Sequence, residues 1–395
     1  MSDAHWMPGR QAQPIAKAPK PRSLYLTMRD GVRIAIDVYA PLRAERAPTV
    51  LRQTRYFRSL EATPALAWSG LTKQFDLYER TRRVFLAAGY AWVDVDVRGT
   101  GASTGAWPYP WSPAEVADGV EVVDWIVRQP WSNGRVGALG ISYDGTAAEM
   151  LLGQHRAVRA ILPTYSLYDV YTDVAFPGGI PLLGFLRRWA HFNGSLDAGR
   201  FGDAYAQSIW LIARAERASP RGSPLARAFA RDERAFARAV SGGLAAVARG
   251  VRPVSPGAPS AAELAARSRN MDVHAMAQRI AFRDDAGVLE DLPEGTIDSL
   301  SPHARNRDAE PSAAVYSYSG WRDAAYQHGA IKRFLSVRAP GSRLTIGPWA
   351  HAGRQRIRPF EPAVPAAFDH DAEHLAFVDA HVRRPEPGAT DGDAV

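Results

Sequence analysis

Three side chains, far apart along the chain, are of the types that acyl transfer requires. The first is Ser142, in the string Gly140-Ile141-Ser142-Tyr143-Asp144-Gly145, which separates a run typical of a buried strand from a run typical of a helix. A serine on such a tight turn presents its Oγ above the sheet, and the next backbone N–H points to the same space. The string departs from G-x-S-x-G because its second glycine stands at 145, so alone it also fits a serine that caps a helix.

Two later positions supply an acid and a base. Asp323 follows the β-like run Tyr316-Ser317-Tyr318-Ser319-Gly320, and His351 follows a second such run that starts at Leu344. Taken singly, each is typical of a turn or a surface loop. Serine, acid, histidine is nevertheless the order of α/β-hydrolases, and ligands of parallel sheets bind where strands end. Together the three positions predict a catalytic triad.

The segments that must position these residues alternate between strand and helix. The patterns predict a mainly parallel sheet flanked by helices, that is, an α/β fold. Its predicted elements are a hairpin over 24–39, strands over 49–53, 90–97 and 135–141, helices over 72–88 and 113–128, later strands over 313–318 and 343–346, and a last helix over 372–381.

Between about 162 and 286 the alternation stops, and aromatic residues become frequent. This stretch is typical of a helical insertion that covers the sheet. The sequence therefore predicts a hydrolase core over 23–161 and 287–383, a helical cap over 162–286, an N-terminal tail over 1–22, and a C-terminal tail or truncated linker over 384–395.

The composition excludes several classes of site. The 395 residues contain no cysteine, which removes disulfides, thiolate zinc sites, iron–sulfur clusters and a cysteine nucleophile. The first 23 residues lack the apolar core of a secretory signal, and no apolar run approaches the ~18 residues of a membrane span. A cytoplasmic protein is expected.

A net charge of +7 would suit a nucleic-acid partner, but the arginines are scattered. Those between Ser223 and Ser241 lie on one side of a predicted amphipathic helix, which Gly242-Gly243 is expected to interrupt or bend. Because Phe229 and Phe236 fall on the opposite, apolar side, no aromatic residue is placed to stack among the arginines, and we expect a solvated helix face and not a binding stripe.

The motifs together resemble a known family, the hydrolases of the cocaine esterase and X-Pro dipeptidyl-peptidase type, which include α-amino-acid ester hydrolases. The resemblance covers most of residues 22–383, and members share the glycine three residues after the serine. It is carried by six stretches: 29–32 with 38–41, 96–103, 140–145, 176–179, 320–323 and 347–351.

The resemblance implies an α/β-hydrolase fold with Ser142 as nucleophile and Asp323 and His351 as its partners. It further implies an oxyanion hole made of a tyrosine hydroxyl and a backbone N–H. Tyr56, which follows the strand at 49–53, matches the place of that tyrosine, and the N–H is that of Tyr143.

The expected function is a serine hydrolase that cleaves acyl ester, amide or peptide bonds through an acyl-enzyme intermediate, with a small ester or short peptide as substrate. An X-Pro dipeptidyl-peptidase or an α-amino-acid ester hydrolase is the alternative. Asp169 and Asp173 could then pair with a substrate ammonium. The aromatic residues Tyr165, Tyr168 and Trp189 could line an apolar acyl pocket or simply pack the cap onto the sheet. No cofactor is implied.

Two rival functions stay open from sequence alone. The string His370-Asp371-Ala372-Glu373-His374 places two histidines on one helix face, as in zinc hydrolases, but its glutamate is misplaced for H-E-x-x-H. A catalytically silent hydrolase fold that serves as a binding module is the second. The glycine-rich stretch 98–105 lacks the G-K-[ST] ending of a phosphate loop, so a structural loop is expected there.

One departure from the family concerns the C-terminal side. Members normally carry a β jelly-roll after the hydrolase domain, whereas this sequence ends at Val395. We expect either a truncated sequence or a short form. A surface left uncovered by the missing domain would favour association into a homo-oligomer.

Overall fold

The centre of the molecule is a sheet of eight strands. The structure, a computed structural model, describes residues 12–41, 46–63, 76–206, 232–254, 257–289, 292–306, 312–323, 325–353, 355–356, 364–365 and 368–383. The strands of the sheet are β1 (Arg22–Thr27), β2 (Arg33–Tyr39), β3 (Ala47–Thr54), β5 (Ala91–Asp96), β6 (Ser132–Ile141), β7 (Val158–Thr164), β9 (Ala314–Gly320) and β10 (Arg343–Gly347). Their order across the sheet is β1-β2-β5-β3-β6-β7-β9-β10.

The strand directions confirm the predicted fold class. The hairpin β1–β2 is antiparallel and joins β5 in antiparallel fashion, and the strands from β5 to β10 run parallel. Every residue of β3 and of β5 is buried, as expected for parallel strands covered on both faces. Parallel strands end at one edge, so the loops after β3, β6, β9 and β10 meet there.

Helices lie between and beyond these strands. Helix α2 starts where the sequence signals predict, because the Ser112 side chain accepts the backbone N–H of Glu115 and Pro113 is the first helical residue. The helices are α1 (Glu79–Ala87), α2 (Pro113–Val127), α3 (Tyr143–Glu149), α4 (Leu183–Asp197), α5 (Glu233–Val247), α6 (Ala261–Ala265), α7 (Val273–Ala277), α8 (Pro302–Asn306), α9 (Gln327–Ser336) and α10 (His370–Val382).

The segment between β7 and β9 contains helices α4 to α8 and one short strand, β8 (Ala248–Val251). Strand β8 pairs with β4 (Leu60–Ala62), which follows β3, and so connects this segment to the part of the chain that forms the central sheet. The predicted interruption at Gly242-Gly243 is wrong, since α5 continues through both glycines to Val247. Residues 223–231 of that predicted helix lie outside the described residues, as do 1–11, 72–75 and 384–395.

No helix among the described residues has both the length and the apolar character needed to cross a membrane.

A fully buried arginine in the loop after β3 joins two neighbouring strands of the sheet. The Arg58 guanidinium lies 3.0 Å from Asp37 on β2 and 2.7 Å from Asp96 at the end of β5, and all three side chains are inaccessible to solvent. Burial raises the pKa of Asp96 although Arg58 opposes the shift. Removing one partner from such a buried ion pair leaves an uncompensated charge, which strongly destabilises the fold.

The glycine-rich loop wraps around the same carboxylate. The Ala102 backbone N–H donates to Asp96 at 2.8 Å, and a Cβ at Gly101 would stand within 2.4 Å of that carboxylate. Gly101 also has a φ of +54°, a conformation that glycine adopts without strain. The loop at 98–105 therefore packs the end of β5, in the structural role expected of it.

Replacing Arg58 by methionine should destabilise the fold severely, because two buried carboxylates lose their partner. We expect Arg58→Met to lower the free energy of unfolding by about 3–5 kcal/mol. The control is Arg200→Met, which removes an exposed pair with Asp203 and should change it by less than about 0.5 kcal/mol. Urea denaturation measures both, and equal losses would contradict the assigned role of Arg58.

Candidate active site

Ser142 stands on a sharp turn between strand β6 and helix α3. Its backbone has φ 61° and ψ −122°, a conformation that residues with a side chain rarely adopt. The Ser142 N–H donates to the Thr164 carbonyl at 3.0 Å, and the preceding Ile141 N–H donates to the Tyr78 hydroxyl at 2.6 Å. These bonds hold the strained turn in place.

The two glycines of the motif are required by close packing. A Cβ at Gly140 would lie 2.3 Å from the backbone carbon of Asp144, and one at Gly145 would lie 2.7 Å from the Gly140 carbonyl oxygen. Contacts this short with backbone cannot be relieved by moving a side chain. The second glycine therefore belongs at 145, where the first turn of α3 passes closest to β6.

Asp323 and His351 form a hydrogen-bonded pair beyond the ends of β9 and β10. His351 Nδ1 lies 2.7 Å from Asp323 Oδ1, with the carboxylate side chain 1 % exposed and the imidazole 44 % exposed. Burial raises the pKa of Asp323, and the hydrogen bond with His351 opposes that shift. An Nδ1–H donated to Asp323 leaves the lone pair of a neutral ring on Nε2.

One cavity of about 480 Å³ brings the predicted catalytic residues together, since Ser142, Asp323 and His351 all line it. The imidazole of His351 lies between two tyrosine rings, with centroid distances of 5.9 Å to Tyr165 and 5.2 Å to Tyr326. Residues separated by about half of the chain thus line one cavity.

Both residues predicted for the oxyanion hole line the same cavity. The Tyr56 hydroxyl accepts a hydrogen bond from Trp189 Nε1 at 2.8 Å, and burial raises the pKa of Tyr56, which keeps the phenol protonated. Tyr143 directly follows Ser142. Its hydroxyl donates to Glu115 at 2.6 Å, and burial raises the pKa of Glu115 to about 7.

Of the five residues predicted to bind substrate, Trp189 lines the cavity. Tyr165 packs beside His351, and Tyr168 packs beside His303 with a centroid distance of 6.1 Å. Asp169 is paired with Arg283 at 2.9 Å, and Asp173 is fully buried and paired with Lys332 at 2.5 Å.

Neither Asp169 nor Asp173 is among the residues that line the catalytic cavity. The carboxylate of Asp173 also accepts the backbone N–H groups of Tyr168 and Asp169. Both carboxylates are therefore paired with internal partners, and the structure does not bring them to the catalytic cavity.

Tyr326 is a site residue that the sequence reasoning missed. Its ring packs against His351 with a centroid distance of 5.2 Å, and it lines the cavity together with Ser142. Its position directly before α9 carries no motif, and the signal available was its place three residues beyond Asp323.

Much of the cavity wall is apolar, and no motif in the sequence marks the residues that form it. They come from the segment after β7 and from its helices: Leu167, Val170, Val174, Leu186, Val273, Met276 and Leu300.

Of the two histidines of the rival metal motif, His370 has protein partners at both ring nitrogens, and His374 is buried. His370 Nδ1 lies 2.7 Å from the Tyr318 hydroxyl, and its Nε2 lies 2.9 Å from the Gly353 carbonyl. Burial lowers the pKa of His374 to about 3. Both ring nitrogens of His370 are thus engaged by protein groups, which disfavours a metal ligand.

A group of ligand-type side chains does occur elsewhere in the described ranges, at Asp169, Asp298 and His303. The Arg283 guanidinium lies 2.9 Å from each of the two carboxylates and 3.1 Å from His303 Nε2. An arginine therefore supplies the positive charge at this cluster.

A second cavity, of about 660 Å³, lies behind the turn and is lined by Tyr78, Tyr165 and His370 among others. Its charged groups are paired with one another, as Arg80 binds Asp369 and Asp371. Ser142 does not line it, so the chemistry is assigned to the smaller cavity.

Comparison with known proteins gives one family and several relatives. Residues 30–353 match the X-Pro dipeptidyl-peptidase (S15) family. A Mycobacterium bovis protein named "Putative serine esterase" is 42 % identical over 98 % of this chain and 61 % of its own length. A Rhodococcus cocaine esterase is 27 % identical over 91 % of this chain and 54 % of its own length. The chain thus spans less than two thirds of these relatives.

Solved structures share the fold. A CocE/NonD family hydrolase from Staphylococcus aureus superimposes with a TM-score of 0.58 at 18 % identity, over 94 % of this chain and 51 % of that one. An α-amino acid ester hydrolase gives a TM-score of 0.55 at 19 % identity, over 98 % and 58 % of the two chains.

The turn itself can be tested by adding one methyl group. Gly140→Ala should lower the free energy of unfolding by about 1–3 kcal/mol or prevent folding, because the new Cβ collides with backbone. The control is Gly194→Ala on α4, where a Cβ meets nothing within 4 Å and should stabilise the helix by up to about 1 kcal/mol. Thermal denaturation reports both, and a fully stable Gly140→Ala protein would contradict the packing argument.

Proposed function

The chain belongs to the X-Pro dipeptidyl-peptidase (S15) family, the family that its motifs predict, and on that premise we propose that it is a serine hydrolase acting on acyl esters. The observation that carries this proposal is the placement of an Asp323-bound His351 in the same cavity as the strained Ser142. Nucleophile, base and orienting acid are the three parts of a serine triad.

The proposed reaction begins with proton transfer from Ser142 Oγ to His351 Nε2 as Oγ attacks the ester carbonyl. Asp323 accepts the Nδ1–H, which fixes the tautomer and stabilises the imidazolium. The imidazolium then protonates the leaving alcohol as the carbon–oxygen bond breaks, and the acyl group remains on Ser142. Water, deprotonated by His351, releases the acid and restores the serine.

The charge that develops on the carbonyl oxygen needs donors in place before the reaction. We assign this role to the Tyr143 N–H, which follows the nucleophile, and to the Tyr56 hydroxyl across the cavity. Loss of one such donor typically costs about 3–4 kcal/mol of transition-state stabilisation. Because both donors are fixed by the fold, they need no reorganisation during the reaction.

The lining of the cavity, which includes the cation Arg188, disfavours a positively charged acyl group. Its walls are mainly apolar, and Asp323 is the one carboxylate among the described lining residues. That carboxylate is bonded to His351, so it is not available to a substrate ammonium. Burial of an unpaired ammonium is costly, which favours a simple acyl ester over an X-Pro peptide or an α-amino ester.

Removal of the nucleophile tests the proposal. Ser142→Ala should abolish both ester hydrolysis and covalent labelling by a fluorophosphonate probe, with an unchanged circular dichroism spectrum. The control is Ser268→Ala, which changes an exposed serine whose hydroxyl donates to the Ala265 carbonyl and should leave labelling intact. Labelling of the Ser142→Ala protein at the rate of the parent would remove the assignment, and a metal hydrolase or a silent fold would leave the parent unlabelled.

Two matched esters test the substrate class. Methyl phenylacetate and methyl phenylglycinate differ by one α-ammonium group, whose burial without a partner costs about 3 kcal/mol or more, or roughly 100-fold. We expect kcat/KM for the neutral ester to be higher by about that factor, with little turnover of an alanyl-prolyl anilide. A preference for the amino ester or the anilide would support the peptidase and amino-ester alternative.

A further inference from the structure

We propose that Trp189 is a positioning residue for the oxyanion hole, which aims the proton of Tyr56 at the reacting carbonyl. The inference rests on the proposed function, because it assigns a task to the hydroxyl that faces the substrate. The observation behind it is the bond from Trp189 Nε1 to the Tyr56 hydroxyl at 2.8 Å. Both side chains line the cavity with Ser142.

The direction of this hydrogen bond is fixed by chemistry. An indole N–H can only donate, whereas a phenol hydroxyl can donate or accept. The Tyr56 oxygen must therefore accept the bond from Trp189, and its own proton stays available for a second partner. An oxyanion donor needs that state, and a Tyr56 that donated its proton to a protein acceptor could not serve.

The same bond makes Tyr56 a stronger donor. A hydroxyl that accepts one hydrogen bond is polarised and donates a better one, especially where the local dielectric is low. Burial raises the pKa of Tyr56 and outweighs the opposing effect of Arg55, so the phenol keeps the proton that it has to donate. Trp189 thus controls both the direction and the strength of the donation.

The indole of Trp189 is itself held on two sides by aromatic rings. Phe185, one helical turn earlier on α4, stacks on it with a centroid distance of 6.3 Å and an interplanar angle of 16°. Trp107 meets it edge-on at 6.3 Å and 87°. The position of Nε1 is therefore set by packing and not by the bond alone.

Trp107 packs against Trp189 and also contacts Tyr143, whose backbone N–H is the other proposed donor of the oxyanion hole. Its Nε1 donates to the Tyr143 hydroxyl at 3.0 Å and lies 3.2 Å from Glu115. The residue that carries the second oxyanion donor is thus held by the same aromatic group that holds Trp189. Because α4 lies in the segment between β7 and β9, that segment contributes to the chemistry and does more than cover the cavity.

The test compares Trp189→Phe in two backgrounds with p-nitrophenyl butyrate as substrate. The variant keeps an aromatic ring and removes the N–H, so we expect kcat to fall about 3- to 10-fold and KM to change less than about twofold. Tyr56→Phe alone should lower kcat about 100-fold or more. In the Tyr56→Phe background, Trp189→Phe should have almost no effect on kcat, because no hydroxyl is left to aim.

A matched change of the cavity wall serves as the control. Met276 lines the same cavity. Met276→Leu should change kcat by the same factor in the parent protein and in the Tyr56→Phe protein. If Trp189→Phe also lowers kcat by one factor in both backgrounds, or raises KM alone, Trp189 is only part of the wall and the inference is overturned. An isosteric replacement, Trp189→benzothienylalanine, removes the N–H with minimal change of shape and should reproduce the result where Trp189→Phe does not fold.

These measurements distinguish failure of the proposed function from failure of the proposed role of Trp189. A parent protein that hydrolyses no ester and takes no fluorophosphonate label would overturn the proposed function. A parent that is active and labelled, with a kcat that Trp189→Phe leaves unchanged, would overturn only the role of Trp189.

Discussion

The backbone turn at Ser142 is the constraint on which the rest of the site depends. A positive φ at a serine costs about 1–3 kcal/mol, and the turn persists because its surroundings leave no other conformation. Gly140 and Gly145 admit no side chain, and the Ser142 N–H is bonded to Thr164 on the neighbouring strand. This strained backbone holds the Ser142 Oγ above the sheet edge. The loops after β9 and β10 place Asp323 and His351 at the same edge.

A cluster of buried charged side chains is linked to this turn by hydrogen bonds and ion pairs. Arg52 lies 2.6 Å from Asp94 and 3.7 Å from Asp144, and its guanidinium lies 4.4 Å from the ring centroid of Tyr78. The Tyr78 hydroxyl in turn accepts the Ile141 N–H. Burial raises the pKa of Asp144 to about 6 although Arg52 opposes the shift. The chain from Asp94 to Ile141 links the centre of the sheet to the residue before the nucleophile.

Local patterns were sufficient to predict the fold class and to propose the triad. Ser142, Asp323 and His351 each follow a strand, and the position of a strand end can be recognised from a few neighbouring residues. The glycine at 145 could be matched to the family but not explained, because its reason is the approach of helix α3 to Gly140 in space.

Long-range partners could not be predicted in the same way. The bond between Tyr56 and Trp189 joins residues 133 positions apart, and no periodicity encodes it. Asp169 and Asp173 have the spacing of an ammonium-binding pair, but Arg283 and Lys332 neutralise them. Their partners come from distant segments, so the sequence near an acid does not say whether its charge is free.

The central claim is that hydrolysis passes through an ester of Ser142, and a rapid acid quench during turnover tests it most directly. Mass spectrometry of the quenched and digested protein should find the acyl group of p-nitrophenyl butyrate on the peptide that contains Ser142, at a level that rises and decays with substrate consumption. Turnover with no acylated peptide at any time, or an acyl group that cycles on another residue, would contradict the account.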